Sequence, residues 1–219
     1  MDRKLITEIN VQNFTEEIRE NIVFLGLPEE VISRCSKLLL MQLDYVIRNG
    51  IENVAKIIRE INCLENNEQG SRTKPATEFR GSVLKGLHHK HYEGTGLETM
   101  KINMSNQLKA NKRRFGTELP HFNRYLEEYI EKNPDKNKKF FDENDFEKIT
   151  YEFAKEVTSG WSKKAEEQTL TGHWVIFALY MGKKYYLCIS RHTSDDQIIR
   201  DKINSCCIEE FPFLKKILS

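Results

Sequence analysis

Hydrophobic residues in the N-terminal third of the chain recur every three to four positions, which is the spacing of one face of an α-helix. This pattern predicts a helix that ends near Gly50 and a second helix after it, so that residues 1–65 form a helical N-terminal region. The positions that carry the pattern are Leu25, Val31, Ile32, Leu38, Leu39, Met41, Leu43, Val46, Ile47, Ile51, Val54, Ile57, Ile58 and Ile61.

The helical pattern stops at the next segment. Residues 66–78 (NNEQGSRTKPATE) lack hydrophobic periodicity and are rich in Asn, Gly, Ser, Thr and Pro, which is typical of a linker or a long loop. We therefore predict three regions along the chain. They are the helical N-terminal region 1–65, the linker or long loop 66–78 and a domain of strands and helices over residues 79–219.

The strongest strand signal is a pair of apolar runs at residues 174–180 and 184–189, with a glycine in the polar segment between them. These runs predict a β-hairpin, and a turn centred on Gly182-Lys183 pairs His173 directly with His192. A three-residue turn instead shifts the register and puts the two histidines on opposite faces. Both faces of the hairpin are largely apolar, so we expect it to be central in its sheet and covered on both sides.

Helical patterns flank this hairpin in the sequence. They predict helices over residues 97–114, 120–132 and 143–157, and a further helix that begins at a capping box in residues 194–197. We therefore predict an α+β fold. In this fold the helical N-terminal region is followed by a small antiparallel β-sheet packed with helices.

The composition is that of a globular protein without disulfide bonds. The chain of 219 residues is 39% hydrophobic and 31% charged, and its longest apolar run is too short to span a bilayer. Its five cysteines show no CxxC spacing, which favours reduced thiols. The first residues lack the apolar stretch of a secretion signal. We therefore expect a cytoplasmic protein with no membrane partner.

Charge is distributed unevenly, although the net charge is only +1. Residues 80–114 contain eight Lys or Arg residues, two Asp or Glu residues and three of the six histidines. Such a basic segment suits an anionic partner, and RNA is the partner that we expect. The candidate nucleic-acid-binding residues are Arg80, Lys85, Lys101, Lys109, Lys112, Arg113, Arg114 and Arg191.

Histidine is the side chain in this sequence best suited to proton transfer, because its ordinary pKa lies near neutrality. One imidazole can remove the proton of an RNA 2′-hydroxyl group while a second protonates the 5′-oxygen that leaves, without a metal ion or a cofactor. A lysine can stabilise the charge of the transition state. This chemistry predicts His91, His173 and His192 as proton-transfer residues and Lys90 as the stabilising cation.

The histidine-rich run HHKH leaves a zinc site open as a second interpretation. His91 and one of its neighbours, His88 or His89, would supply imidazoles together with His173 or His192. A strand puts His89 and His91 on one face, whereas a helix puts His88 and His91 there. The spacing matches no established zinc motif, and we predict no metal.

The predicted arrangement resembles the small bacterial ribonuclease toxins, a group that includes barnase, colicin-type and RelE-type domains. The shared features are a helical N-terminal region, a basic helix, a compact antiparallel sheet and scattered His, Lys and Ser residues. The resemblance covers residues 79–219 and rests on arrangement, without a signature motif. It implies a metal-independent ribonuclease with a role in toxicity or defence and an inhibitory protein as a partner. The positions that correspond in role are Lys90, His91, His173, Ser190 and His192.

A second function stays open from the sequence. In this alternative the chain is a non-catalytic regulatory protein, its basic segment binds nucleic acid or an acidic protein, and its histidines are structural. The position of the HHKH run discriminates between the two. If this run lies beside the open end of the hairpin, the ribonuclease prediction gains support, and otherwise the binding prediction gains it.

Overall fold

The computed structural model describes residues 16–94, 97–132, 141–192 and 194–219 of the chain. Within these ranges the protein has nine α-helices and one four-stranded antiparallel sheet, so the predicted α+β fold is confirmed. The helices are α1 (Glu16–Phe24), α2 (Glu29–Ile32), α3 (Lys37–Asn49), α4 (Val54–Glu65), α5 (Leu97–Phe115), α6 (Pro120–Glu131), α7 (Glu143–Glu166), α8 (Asp196–Cys206) and α9 (Leu214–Ile217). The strands are β1 (Thr77–Glu78), β2 (Leu87–Tyr92), β3 (His173–Tyr180) and β4 (Lys183–Ser190).

Local sequence explains where several helices begin and end. The side chain of Ser36 caps α3 by accepting a hydrogen bond from the Leu39 amide, and Gly50 ends this helix in the left-handed conformation, at the predicted place. Helix α8 is capped by Asp195, whose carboxylate accepts a hydrogen bond from an amide of the first turn. The cap therefore lies one residue later than the predicted capping box requires.

The four strands lie in the order β1-β2-β3-β4, and each pairs antiparallel with the next. The predicted hairpin is present, but its turn is centred on Met181 and Gly182, because Tyr180 pairs with Lys183. Both turn residues have positive φ angles, 49° and 73°, as a two-residue type I′ turn requires. The prediction of a turn one residue later is wrong, and the two histidines at the open end are not directly paired.

A β-bulge in β4 changes the register half-way along the hairpin. Phe177 pairs with Tyr186, whereas the residue before Phe177 pairs with Cys188. Leu187 is therefore an extra residue, and it lies on the same side of the sheet as Cys188. The bulge reverses the orientation of the residues of β4 that lie between it and the open end. Each of them faces the side of the sheet that its neighbour would face without the bulge.

Helices cover both faces of the sheet, as the apolar faces of the hairpin predict. The face that packs against α1 to α4 is called the N-terminal face, and the face that packs against α8 and α9 is called the C-terminal face. Buried strand residues of the N-terminal face are Tyr92, Val175, Phe177 and Tyr186, and those of the C-terminal face are Leu87, Ile176, Ala178, Leu187 and Cys188.

Residues 66–78, predicted as a linker or a long loop, are packed against the rest of the protein. Ser71 and Thr73 are buried, Thr73 forms a parallel bridge with Leu170, and the last two residues of the segment form β1. The N-terminal helices and the sheet share one group of buried side chains. The division of the chain into domains stays a prediction.

A buried lysine joins this segment to α4 and to β2. The Nζ of Lys90, which is fully buried, lies 2.7 Å from Glu68 Oε2 and 3.7 Å from Glu60 Oε2. It also donates hydrogen bonds to the carbonyl oxygens of Thr73 and Lys74. Since an ammonium group has three protons, these contacts saturate it. Lys90 is therefore a structural cross-link on the N-terminal face.

Two expectations from composition can be compared with the structure. All five cysteines are free thiols, as their spacing predicts. Across the residues described, none of the helices has the length and hydropathy that a membrane-spanning helix needs. A cytoplasmic location stays a prediction.

Lys90→Met removes the buried charge and keeps an unbranched side chain of similar length. We expect the free energy of unfolding to fall by about 3–5 kcal/mol, because Glu60 then stays buried without its cation. Urea denaturation measures the loss. Lys56→Met is the matched control, since Lys56 pairs with Glu93 at a partly exposed position where an ion pair contributes about 0–1 kcal/mol. Equal losses in the two variants would contradict the cross-linking role.

Candidate functional site

Five rings meet on the C-terminal face at the open end of the hairpin, and one of them, Phe79, packs against both His89 and Trp174. The ring centre of Trp174 lies 4.9 Å from that of His192 and 5.1 Å from that of His89. The ring centre of His91 lies 5.8 Å from that of His192 and 5.4 Å from that of His89. Three imidazoles therefore surround a single indole. We call His89, His91, Trp174 and His192 the histidine–tryptophan cluster.

Strand geometry explains why these residues share one face. Alternation along β2 directs His89 and His91 to the same side, and His91 pairs directly with Trp174 of β3. The bulge in β4 pairs Ser190 with Trp174, so that His192, two residues further on, reaches the same face. The HHKH run is part of strand β2. Of the two alternatives that the sequence leaves open, a strand or a helix, the structure therefore has the strand.

His91 is buried and contacts the backbone that precedes β3. Its Nδ1 lies 3.0 Å from the carbonyl oxygen and 3.2 Å from the amide nitrogen of Gly172. A Cβ atom at position 172 would lie 1.8 Å from the carbonyl oxygen of Tyr92, so no larger residue fits there without moving the backbone. The glycine thus allows the two chain segments to approach closely enough to hold the imidazole.

A buried asparagine on α5 fixes the segment that holds His91. The Oδ1 of Asn103 accepts a hydrogen bond of 2.9 Å from the Thr171 amide, and its Nδ2 donates one of 2.6 Å to the Thr171 carbonyl oxygen. These are the two bonds that a neighbouring strand would form. Lys164 of α7 donates a hydrogen bond to the carbonyl oxygen of Asn103. Helices α5 and α7 are thereby connected to the backbone beside His91.

Burial makes the imidazoles of the cluster difficult to protonate. It lowers the pKa of His91 to about 3 and the pKa of His89 to about 4, and it also lowers the pKa of His192. The cation of Lys74 lowers all three pKa values further. A hydrogen bond to the Gly172 carbonyl raises the pKa of His91 but does not offset burial. At neutral pH His89 and His91 are therefore uncharged.

His173 and Lys90 lie outside the cluster, which corrects their predicted placement. His173 pairs with Tyr92 on the N-terminal face, and its Nε2 lies 3.4 Å from Glu52 Oε1 in a buried contact. Successive strand residues point to opposite faces, so His173 cannot face the same side as Trp174. Lys90 lies on the N-terminal face as well, saturated by its buried partners.

Of the other predicted residues, Ser190 is the one that the structure brings beside the cluster, through its pairing with Trp174. The predicted nucleic-acid-binding residues are all exposed, as binding to a large ligand requires. Their role in binding stays a prediction. Five of them lie on α5 and three lie elsewhere, namely Lys101, Lys109, Lys112, Arg113 and Arg114 on the helix and Arg80, Lys85 and Arg191 outside it.

Sequence reasoning missed three residues that the structure adds to the site. The sequence pattern predicts Trp174 as a core residue of the hairpin. Its position next to a histidine at the end of a strand could have indicated a place in the site. Lys74 falls in the segment predicted as a linker. Asn103 gives no local signal, because its function is to hold backbone atoms 68 positions further along the chain.

The zinc interpretation finds no support in the geometry. In the part of the chain that the structure describes, no three His, Cys, Asp or Glu side chains are arranged to hold a metal ion. The imidazoles of the cluster instead contact one another and Trp174 as rings.

Comparisons with known proteins return no relative of this chain. No protein-family model matches it, and neither the curated proteins nor the solved structures contain a match. The resemblance to small bacterial ribonuclease toxins therefore stays a prediction that rests on the arrangement of residues.

His91→Gln tests the burial of the cluster through the pH dependence of stability. The pKa of His91 is about 3 in the fold and 6.5 without the fold, so the unfolded state binds more protons between these values. The free energy of unfolding therefore rises with pH in this window, and stability is lost as the pH falls. We expect the variant to lower the slope between pH 5 and 6 by about 1 kcal/mol per pH unit.

Chemical denaturation of both proteins at several pH values across this window measures the slope. The comparison between the two proteins cancels the contribution of the carboxylates, which titrate in both. An unchanged slope would mean that His91 takes up its proton in the folded protein as readily as in the unfolded chain.

Proposed function

We propose that this protein is a metal-independent ribonuclease that cleaves RNA by histidine acid–base catalysis. The observation that carries the proposal is the juxtaposition of a buried imidazole, His91, and an exposed one, His192, with ring centres 5.8 Å apart. The permanent positive charge that shifts the pKa of His91 is the ammonium group of Lys74. Such a positive environment suits the phosphodiester group of a nucleic acid.

The two imidazoles suit opposite roles in the attack of a 2′-hydroxyl group on phosphorus. Burial keeps His91 neutral, which is the form that can accept a proton, and we assign to it the removal of the 2′-hydroxyl proton. His192 lies at the surface, where a phosphate anion beside it raises its pKa and favours the protonated form. His192 then protonates the 5′-oxygen as the bond from phosphorus to this oxygen breaks. The products are a 2′,3′-cyclic phosphate and a 5′-hydroxyl group.

The spacing of the two rings is compatible with this reaction. An in-line transfer keeps the attacking and the leaving oxygen on opposite sides of phosphorus, and each needs a nitrogen at about 3 Å. The rings of His91 and His192 are inclined by 26°, with their centres 5.8 Å apart. In this proposal one nitrogen of each ring acts on a different oxygen of one phosphate.

Two further residues supply binding in this proposal. Trp174 is half-buried and packs against all three imidazoles, so it holds their rings in place, and its exposed part is available to a base of the RNA. Lys74, whose charge acts on all three imidazoles of the cluster, stabilises the negative charge of the transition state. This role was assigned from the sequence to Lys90, which is saturated by other partners.

His192→Ala removes the proposed acid from an exposed position. We expect the rate of RNA cleavage in the presence of EDTA to fall by about 100- to 10,000-fold, while the midpoint of unfolding stays unchanged. Gel electrophoresis of a fluorescent RNA measures the rate. The matched control is His121→Ala, which removes an exposed histidine on α6 and is expected to keep the wild-type rate.

Three results would count against the assignment. The first is cleavage that persists in His192→Ala at the wild-type rate. The second is cleavage of an RNA that carries a 2′-deoxy residue at the cut position, since this substrate lacks the nucleophile. The third is a wild-type protein that binds RNA without cleaving it, which would establish the non-catalytic alternative.

His173→Gln tests whether His173 takes part in catalysis, as the sequence predicts, or lies outside the site, as its position in the structure indicates. We expect this variant to keep most of the cleavage activity, because His173 lies on the N-terminal face and contacts Glu52. The same electrophoretic assay applies, with the midpoint of unfolding as a check on folding. A folded variant that loses as much activity as His192→Ala would return His173 to the catalytic set.

A further inference from the structure

Helix α6 and the first half of α7 form a pair of antiparallel helices. At one end of the pair the carboxylate of Glu156 accepts hydrogen bonds from the first two amides of α6, and at the other end the hydroxyl group of Tyr129 donates one to Asp145. We call residues 120–131 and 141–156 the arm. Its end at Tyr129 is the tip, and its end at Glu156, where α5 also ends, is the base.

The arm leaves its apolar side chains largely uncovered. Among its described residues Asp145 is the one that is buried. Phe146 and Tyr151, which are 57% and 66% exposed, line a groove along α7. A layer of two helices cannot cover its own apolar faces, and a second pair of helices is a common way to cover them. The groove therefore has the character of an interaction surface.

Charge changes sign between the two ends of the arm. The described residues at the tip, 127–132 and 141–148, include seven Asp or Glu residues and two lysines. The segment that forms the base, residues 109–124, includes five Lys or Arg residues and one glutamate. The 12 residues of α6, which lead from base to tip, span about 18 Å.

A second copy of this chain complements both ends at once. Two arms that pack antiparallel about a two-fold axis bring the acidic tip of each copy to the basic base of the other, whereas parallel arms bring like charges together. A wholly acidic or wholly basic partner complements only one end. Phe115 at the base is 50% exposed and Phe146 lies at the tip, so each of the two contacts also has apolar side chains.

We propose that the protein forms a two-fold symmetric dimer in which two arms pack antiparallel as a four-helix bundle. Such a contact is closed, so it needs no further copies. The dimer uses no residue of the histidine–tryptophan cluster, and its test therefore does not depend on RNA cleavage. The cations at the end of α5, which the sequence predicts to bind RNA, face the carboxylates of the second copy in this dimer.

Sedimentation equilibrium of the full chain between about 1 and 100 μM measures the association. We expect the wild-type protein to pass from monomer to dimer in this range. The dissociation constant is expected to rise with salt, because salt screens the charges of the two ends. A wild-type protein that stays a monomer at the highest concentration overturns the proposal.

Two charge-reversal variants test the antiparallel packing, and all of their substitutions are at exposed positions. The base variant replaces three cations with glutamate, namely Lys112→Glu, Arg113→Glu and Arg114→Glu. The tip variant replaces three carboxylates with lysine, namely Glu127→Lys, Glu143→Lys and Glu147→Lys. Each variant then carries one sign of charge at both ends of its arm.

We expect each charge variant alone to dimerise with a dissociation constant raised about 10- to 100-fold, because like charges then meet. An equimolar mixture of the two is expected to regain most of the wild-type affinity, since every end again meets an end of opposite charge. This recovery also shows that both variants are folded. A mixture that associates as weakly as its separate components overturns the packing of tip against base.

Phe146→Ser tests the apolar part of the interface. We expect it to raise the dissociation constant about tenfold or more, as truncation of a central aromatic side chain does in other interfaces. Phe24→Ser is the matched control, because Phe24 is 90% exposed on α1, outside the arm, and the wild-type affinity is expected. Equal losses in the two variants would remove the groove from the interface.

Binding of a fluorescent 2′-deoxy oligonucleotide to the base variant examines the other use of these cations. Weaker binding by this variant, together with a wild-type protein that stays monomeric, assigns the base to nucleic acid and overturns the dimer. A wild-type dimer with the charge dependence given above, in a protein that cleaves no RNA, supports the dimer and overturns the ribonuclease alone.

Discussion

The β-bulge at Leu187 is the constraint on which the candidate site depends. It adds one residue to β4. The side chains of β4 between the bulge and the open end of the hairpin therefore point to the opposite faces of the sheet. With the bulge, Ser190 and His192 share the face of Trp174. An uninterrupted ladder would direct Arg191 to this face, and the cluster would lose its exposed imidazole. One extra backbone residue thereby decides which side chains can act together.

The N-terminal helices stabilise this bulge from outside the sheet. The hydroxyl group of Ser36 donates a hydrogen bond to the carbonyl oxygen of Leu187, the extra residue of the bulge. The side-chain amide of Gln42 both donates to and accepts from the backbone of Ile189, as a further strand would. The outer edge of β4 is thus satisfied without a fifth strand. Helix α3 therefore determines the geometry of a site to which it contributes no side chain.

Periodicity in the sequence predicts the helices and the hairpin, because each is specified by residues that are neighbours in the chain. The register of the hairpin depends on contacts with distant residues, so periodicity does not predict it. The turn places Met181 at a positive φ angle, which residues other than glycine rarely adopt, so the sequence alone favours a turn on Gly182-Lys183. The bulge has no local signal, since its partner Ser36 is distant in the chain. Lys90 is predicted as a cation of the site, and its burial gives no local signal because its carboxylate partners lie in other segments.

In the proposed ribonuclease, the different burial of two imidazoles links substrate binding to proton transfer. Burial and the charge of Lys74 disfavour the protonated form of His192, which is the form that acid catalysis needs. In the proposed reaction a phosphate bound beside His192 would raise the pKa of this imidazole, and by reciprocity the proton would strengthen the binding of phosphate. His91 has a pKa of about 3 and is more deeply buried, so it stays neutral while His192 gains its proton. The different burial of the two imidazoles is therefore what assigns the roles of general base and general acid in the proposed reaction.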